Sequence, residues 1–439
     1  MKFQHINDGQ ENGYFKAQLR RLTIWCVNLP LLALALAYAG SAQANCNNTV
    51  SADVVALDQV FYYNRLGAMN PSGMIYALKS DVTDLSGGSQ PGPGNAMLRP
   101  GKRPRPLVLR VNEGDCLKVN FTNWLSQTRN GSLPQPVKPD DPNPNSTPVS
   151  NGDGPATRTA SFHVIGMQPK DIISDASNVG NNPSGQASSG GSQTYTFYAE
   201  KEGTYFAYSA AVMTGGEGNG GALAHGLFGA VNVENRGSEW YRSQVTEQDI
   251  ALAATDATAS DGKYYPVIDY AAVYPQVDTR KPQEVLTLVA TDGAYTATMS
   301  KLTSNIGFTP GDEGKKLIAV DFEGTISTIN ADGSATVTTN DAVPVNPVAP
   351  YTWRIEGSTP HPLAGRPILN MLDSDKNIVH SDLNAIITGP NRGQFSPAVE
   401  PGNAVYPNRL DPFREFTVVF HDEIKAVQAF PGWFNDSVL

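Results

Sequence analysis

Charge and cysteine are both scarce in this 439-residue chain: 17% of residues are charged and three are cysteine. The formal charge is −10, with acidic residues spread along the chain and no basic block. No face is available to displace the counterions of a phosphate backbone, which excludes nucleic acid as a partner. Hydrolytic and nucleotide-binding signatures are missing too. No Gly-x-Ser-x-Gly elbow with a triad arrangement occurs. The glycine stretches "GGEGNGG" and "SSGGS" neither carry the Lys-Ser/Thr of a phosphate loop nor lead a helix. Long apolar runs are limited to one near the N-terminus.

That one run belongs to a leader. A polar stretch with Lys16, Arg20 and Arg21 precedes an apolar segment from Leu22 to Ala39, and Ser41-Ala42-Gln43-Ala44 offers a signal-peptidase site. Residues 1–44 read as a secretory signal, with a retained N-terminal anchor as the alternative and with Sec and twin-arginine export both open. No second span long enough to cross a membrane follows. Cleavage takes the formal charge from −10 to −12 and places the protein in the periplasm or outside the cell. Cys26 leaves with the signal, so Cys46 and Cys116 remain in an oxidising compartment, where a disulfide between them is expected. The alternative is one buried thiol and one terminal thiol.

Glycine and proline are plentiful, at 41 and 32 residues, and suit an all-β chain with many turns. Strand signals recur at Val54–Leu66, Gly73–Lys79, Arg158–Met167, Ser192–Glu200, Gly203–Ala211 and Leu227–Glu234. In "RPLVLRVNEGDCLKVNFTNWL", Leu107, Leu109 and Val111 alternate with other residues, Asn112–Asp115 turns, and Leu117, Val119 and Phe121 resume the alternation. The segment Leu133–Pro155 is too rich in proline and polar residues for anything but a surface loop. One β-sandwich over 45–235 accounts for these strands. A connector over 236–414 follows, with a short helix near Gly237–Ile250 and a small antiparallel insert over Lys315–Asn340 turning at Asp332-Gly333. Residues 415–439 open a strong strand, "REFTVVFHDE", without partner strands after it, and read as the start of a second domain in a longer or truncated product.

The ordered series "VLRVNEGDCLKVNFTN", "SFHVIGMQP", "GTYFAYSAA", "HGLFGAVNVE", "HSDLNAIITGP" and "REFTVVFHDE" resembles the multicopper oxidase family, in particular its large bacterial members that include manganese-oxidising proteins. The resemblance implies a cupredoxin-like Greek-key sandwich, and a second cupredoxin domain beginning at the C-terminal segment. It also implies copper as cofactor, and a reaction that takes single electrons from a phenol, metal ion or similar donor and passes four to dioxygen. In that family the first cupredoxin domain gives two His-x-His pairs to a trinuclear copper cluster. A spacing of two on a strand points both rings the same way, and copper favours imidazole nitrogen. Here His163 retains one position, whereas Ile165, Tyr208 and Ala210 stand at the other three. Cys116 has no histidine near it, so the thiolate copper site of the family is not formed by it.

Other donors are weighed the same way. His421 and Glu423 share one face of a strand and could meet a divalent ion, or form a solvated strand end. His225 either caps backbone groups or lends a nitrogen to a metal, and His361 reads as solvent-facing. Met167 and Met213 read as packing. No catalytic residue is assigned to this chain. The expectation is an exported member of the family that acts as a structural cupredoxin portion. Its partners would be downstream cupredoxin domains or another subunit. A small reducing substrate or metal ion and dioxygen would serve the intact enzyme. A non-catalytic extracellular scaffold is the alternative.

Overall fold

The computed structural model describes residues 45–88, 90–127, 158–178, 180–211, 222–258, 264–291, 294–300, 307–342, 346–389, 412–421 and 427–428. The segment at 1–44 that was expected to be a leader, the whole loop expected at Leu133–Pro155, Met213 and Glu423 lie outside them.

The chain from Cys46 builds a two-sheet sandwich. One sheet holds β1 (Thr49–Asp58), β2 (Met74–Leu78), β4 (Cys116–Asn123), β6 (Gln168–Pro169) and β7 (Ser192–Tyr198), in the order β6-β7-β4-β1-β2. The other holds β3 (Leu107–Asn112), β5 (His163–Val164), β8 (Gly203–Tyr208) and β9 (Phe228–Glu234), in the order β3-β9-β8-β5. β1 runs parallel to β4 and β9 parallel to β3, while the other ladders are antiparallel. The protein is all-β, and this mixed two-sheet arrangement is the cupredoxin-like architecture.

β3 and β4 differ from a hairpin. The turn is tight, with Asp115 N–H donating to Asn112 O at 3.0 Å and Gly114 at φ 85°. Yet β3 pairs only with β9, and β4 pairs with β1 and β7, so the chain arches from one sheet to the other. Alternation on both sides of a turn fits either geometry. Here Leu107, Leu109 and Val111 meet Leu117, Val119 and Phe121 in one core rather than side by side on one face. At its centre Tyr76 packs edge-on to Phe121 and Phe162, with centroids 6.1 and 5.1 Å away.

The connector contributes to that same core. β10 (Glu239–Arg242), β11 (Asn384–Thr388) and β12 (Phe413–Phe416) form a three-stranded sheet with β11 in the middle. Trp240, Met371, Ile378, Ala385 and Ile387 are buried in the core of the sandwich. The short helix expected near Gly237–Ile250 is α1 (Glu247–Ala253), started by a capping box in which Asp249 N–H donates to Thr246 Oγ1 at 3.1 Å. The strand expected to open a further domain is the outer strand of the connector's sheet.

Between β10 and β11 the insert is larger than the antiparallel piece expected over Lys315–Asn340. Seven strands between Val277 and Pro360 form one sheet around Trp353, Leu286, Leu317, Phe322, Ile326 and Val337. The Asp332-Gly333 turn is present, with Ser334 N–H donating to Asp332 Oδ1 at 2.9 Å, but it joins two inner strands of the seven. Flanking strands such as Ala294–Ser300, "AYTATMS", bury only small or isolated apolar residues and carry little hydrophobic signal.

Cys46 and Cys116 form a disulfide that ties the stretch just before β1 to the first residue of β4. They are 70 residues apart, so the cross-link closes a long loop. Replacing Cys46→Ser is expected to lower unfolding free energy by about 4 kcal/mol on the loop-entropy account. Urea denaturation of the variant against the parent checks this.

Candidate functional site

β5 and β8 are antiparallel neighbours, with His163 opposite Tyr208 and Val164 opposite Ala207. Ile165 N–H extends the ladder to Phe206 O at 2.9 Å. The turn after it needs Gly166, at φ 86°, where a Cβ would press on the Tyr205 ring at 3.3 Å. The two strand ends that would carry paired imidazoles are thus side by side. Their side chains are another matter. The His163 ring sits edge-on to Tyr208 with centroids 5.3 Å apart. Its Nδ1 lies 2.7 Å from Asp175 O, so it donates there and leaves Nε2 as the one nitrogen able to bind a metal. Ile165 is 51% exposed and brings no donor. The end of β8 is clasped by serines: Ala210 N–H donates to Ser161 Oγ at 3.0 Å, and Ser161 N–H to Ser209 Oγ at 3.1 Å.

An aromatic row runs from this point across the sheet. Tyr208 stacks on Phe206 at 6.1 Å, Phe206 on Phe228 at 6.2 Å, and Phe228 meets the His421 ring at 5.2 Å. His163 and His421 therefore stand at opposite ends of one row, separated by three aromatic rings. Glu423 lies outside the described residues, so its expected pairing with His421 has no geometry here.

The remaining histidines among the described residues are occupied. His225 is buried, its Nδ1 3.3 Å from the Asn70 side-chain amide. His361 is half-buried rather than solvent-facing, because its ring stacks on Tyr274 at 4.9 Å and its Nδ1 accepts from Leu363 N–H. His380 is buried, with Nε2 2.7 Å from Pro367 O. Burial, then the Arg242 charge, pushes its pKa down to about 3. Met167 is buried packing. Among the described residues no group of three or more His, Cys, Asp or Glu side chains could hold a metal ion. One imidazole nitrogen, with Cys116 locked in a disulfide, does not fit a copper ion.

The strongest electrostatic feature lies elsewhere, in residues the sequence pattern hides. Arg110 on β3 is 2% exposed. It donates from Nε and Nη2 to Glu415 Oε1 at 2.9 and 2.5 Å, and from Nη1 to Asp382 O at 2.8 Å. Asn232 on β9 adds a bond to Glu415 Oε1 at 2.7 Å. Glu234, two residues along β9, is also buried, 4.0 Å from Arg110. Burial, then a hydrogen bond to Glu415 and that carboxylate's charge, pushes its pKa up to about 9. For Glu415, burial opposes the charge, but the bond from Glu234 and the Arg110 field outweigh it and hold the carboxyl below its usual range. The pair therefore shares one proton at neutral pH. A second node sits at Asp382, which accepts from Arg105 at 2.7 Å and Arg242 at 3.1 Å. A charged residue inside "LVLRVN", where every position is buried, is the one sequence signal that could have found this network.

No family model matches the chain, and no curated protein matches it. Solved structures do. They include a multi-copper oxidase from Pseudomonas thermotolerans (13% identity over 77% of this chain and 60% of that one, TM-score 0.24). Another is the multicopper oxidase mgLAC (12%, 77% and 78%, TM-score 0.25). A third is Fet3p, a multicopper oxidase that functions in iron import (12%, 77% and 47%, TM-score 0.24). The chain thus spans 60% of the first of these and about half of the third.

The carboxyl pair gives a pH dependence of known sign. An unfolded glutamate ionises near pH 4.5, whereas folded Glu234 holds its proton to about 9. Its contribution to stability is full below the lower value and is lost as pH rises through the upper one, by at most ~1.4 kcal/mol per pH unit. A Glu234→Gln variant keeps the donor and cannot ionise. It is expected to match the parent near the acid limit and to exceed it increasingly at alkaline pH, as read by urea unfolding across the range.

Proposed function

We propose that this chain is an exported, cupredoxin-type member of the multicopper oxidase family whose sandwich serves as a copper-poor structural portion. The observation that carries the reading is at β5 and β8. Strand ends suited to four imidazoles lie paired, yet they present His163, Ile165, Tyr208 and Ala210, of which one can bind copper. The ordered motifs of the sequence and the mixed two-sheet topology support the family. The leader and the Cys46–Cys116 bridge support export to an oxidising compartment.

In this reading copper oxidation, including that of manganese, belongs to further cupredoxin domains of the same polypeptide or of another subunit. This chain supplies a rigid face to pack against them. A surface of the right character exists. Glu415, Thr417 and His421 fall on one side of the extended segment after β11 and touch the sandwich, whereas Phe416, Val418 and Phe420 alternate to the other side and are 62%, 66% and 93% exposed. The same apolar stripe favours the second reading, an extracellular scaffold that engages a protein with no copper at all. Among the described residues no helix is long and apolar enough to cross a membrane.

Elemental analysis of the purified, exported protein tests the reading. Less than one copper per chain, with no blue absorbance and no oxygen uptake with a phenol or Mn(II), is the expected result. Three or more coppers per chain with oxidase turnover would refute it.

A further inference from the structure

The inserted sheet and the connector enclose a cleft of about 220 Å³ between Leu252, Val273 and Pro275 on one side and Lys281, Tyr351 and Arg354 on the other. Its chemistry is unbalanced. Lys281 donates to the Ala254 carbonyl, but among the described residues no carboxylate pairs with its ammonium. Arg354 gives its Nε edge to Glu356 Oε1 at 2.6 Å, which leaves the two Nη groups uncommitted among the described residues. Burial, then the charge of Arg354, depresses the pKa of Lys281, so the two cations act on each other, and Glu356, the partner of Arg354, also lines the cleft.

A second observation points to the same place. Tyr351 has φ 63°, a left-handed conformation unusual for a bulky residue. That backbone is held by Trp353 two residues on, which is fully buried and donates from Nε1 to Glu284 O at 2.9 Å. The Tyr351 hydroxyl is fixed by donation to Gln283 Oε1 at 2.9 Å, so the ring lines the cleft in one position. Half-exposed Val273, with Leu252 and Pro275, completes an apolar wall.

We propose that this cleft binds a small aromatic carboxylate, its anionic group held by Arg354 and Lys281 and its ring against Tyr351, Val273 and Leu252. The planar Nη pair of arginine matches a carboxylate, and lysine adds a second positive point. The volume suits one ring with one small substituent, since a dry cavity of about 150 Å³ holds benzene. The inference is independent of the copper reading, because none of these residues lies on β5, β8 or the aromatic row.

Saturation-transfer NMR and calorimetry on the full exported protein, with benzoate and its neutral analogue benzyl alcohol, provide the test. Benzoate is expected to bind with a Kd of about 1 mM or tighter, and benzyl alcohol at least ~10-fold more weakly. Arg354→Gln and Lys281→Met are each expected to weaken benzoate ~10-fold with an unchanged circular dichroism spectrum. Absence of benzoate binding up to roughly 20 mM, equal binding of benzyl alcohol, or folded variants with unaltered benzoate affinity would each overturn the proposal. The two-ligand comparison decides the matter on the parent protein if either variant fails to fold.

Discussion

A single guanidinium, that of Arg110, sits where the sandwich, the connector and the segment after the insert converge. It is almost fully buried, and its partners come from three separate parts of the chain: Glu234 on β9, Asp382 before β11, and Glu415 on β12. Removing a charge from water is costly unless every donor and acceptor is met. Here the cost is offset by bonds to one carboxylate and two backbone carbonyls, with a shared proton keeping the second carboxyl neutral. Burying such a pair contributes specificity more than raw stability: few other placements of β12 would satisfy Arg110. The second node, Asp382 between Arg105 and Arg242, fixes β10 and the approach to β11 in the same manner.

How much of this was legible in sequence depended on where hydrophobic periodicity was strong. The strands of the sandwich announced themselves through runs such as "LKVNF" and "TYTFY", and a short helix was expected within Gly237–Ile250, where its capping box by Thr246 and Asp249 emerged only in the structure. What periodicity does not encode is which sheet a strand joins. β3 and β4 look like a hairpin and form an arch, because inward residues alternate in both cases. The insert was read as smaller than it is, since strands built from Thr, Ala and Ser carry weak signals even when packed around Trp353. Arg110 drew no comment in the sequence, yet β3 is buried at every position and its charge lies inside. Partners 270 or more residues away along the chain leave no local trace.

The candidate metal positions illustrate the complementary case. The family resemblance singled out His163 together with Ile165, Tyr208 and Ala210, because the donors a copper ion prefers are a matter of residue type. It did not reveal that His163 would be set in an aromatic row ending at His421, or that its Nδ1 would be committed to Asp175. In physical terms the ends of β5 and β8 are held by aromatic and serine contacts.

Restoring the donors tests this most directly. In a protein carrying Ile165→His, Tyr208→His and Ala210→His together, four imidazoles would stand on the two adjoining strand ends. If the scaffold has been retained and only its ligands exchanged, electron paramagnetic resonance of the Cu(II)-treated variant will show tightly held, nitrogen-coordinated copper while the parent shows none. A variant that folds but takes up no more copper than the parent, or a parent that already gives that spectrum, would contradict the account.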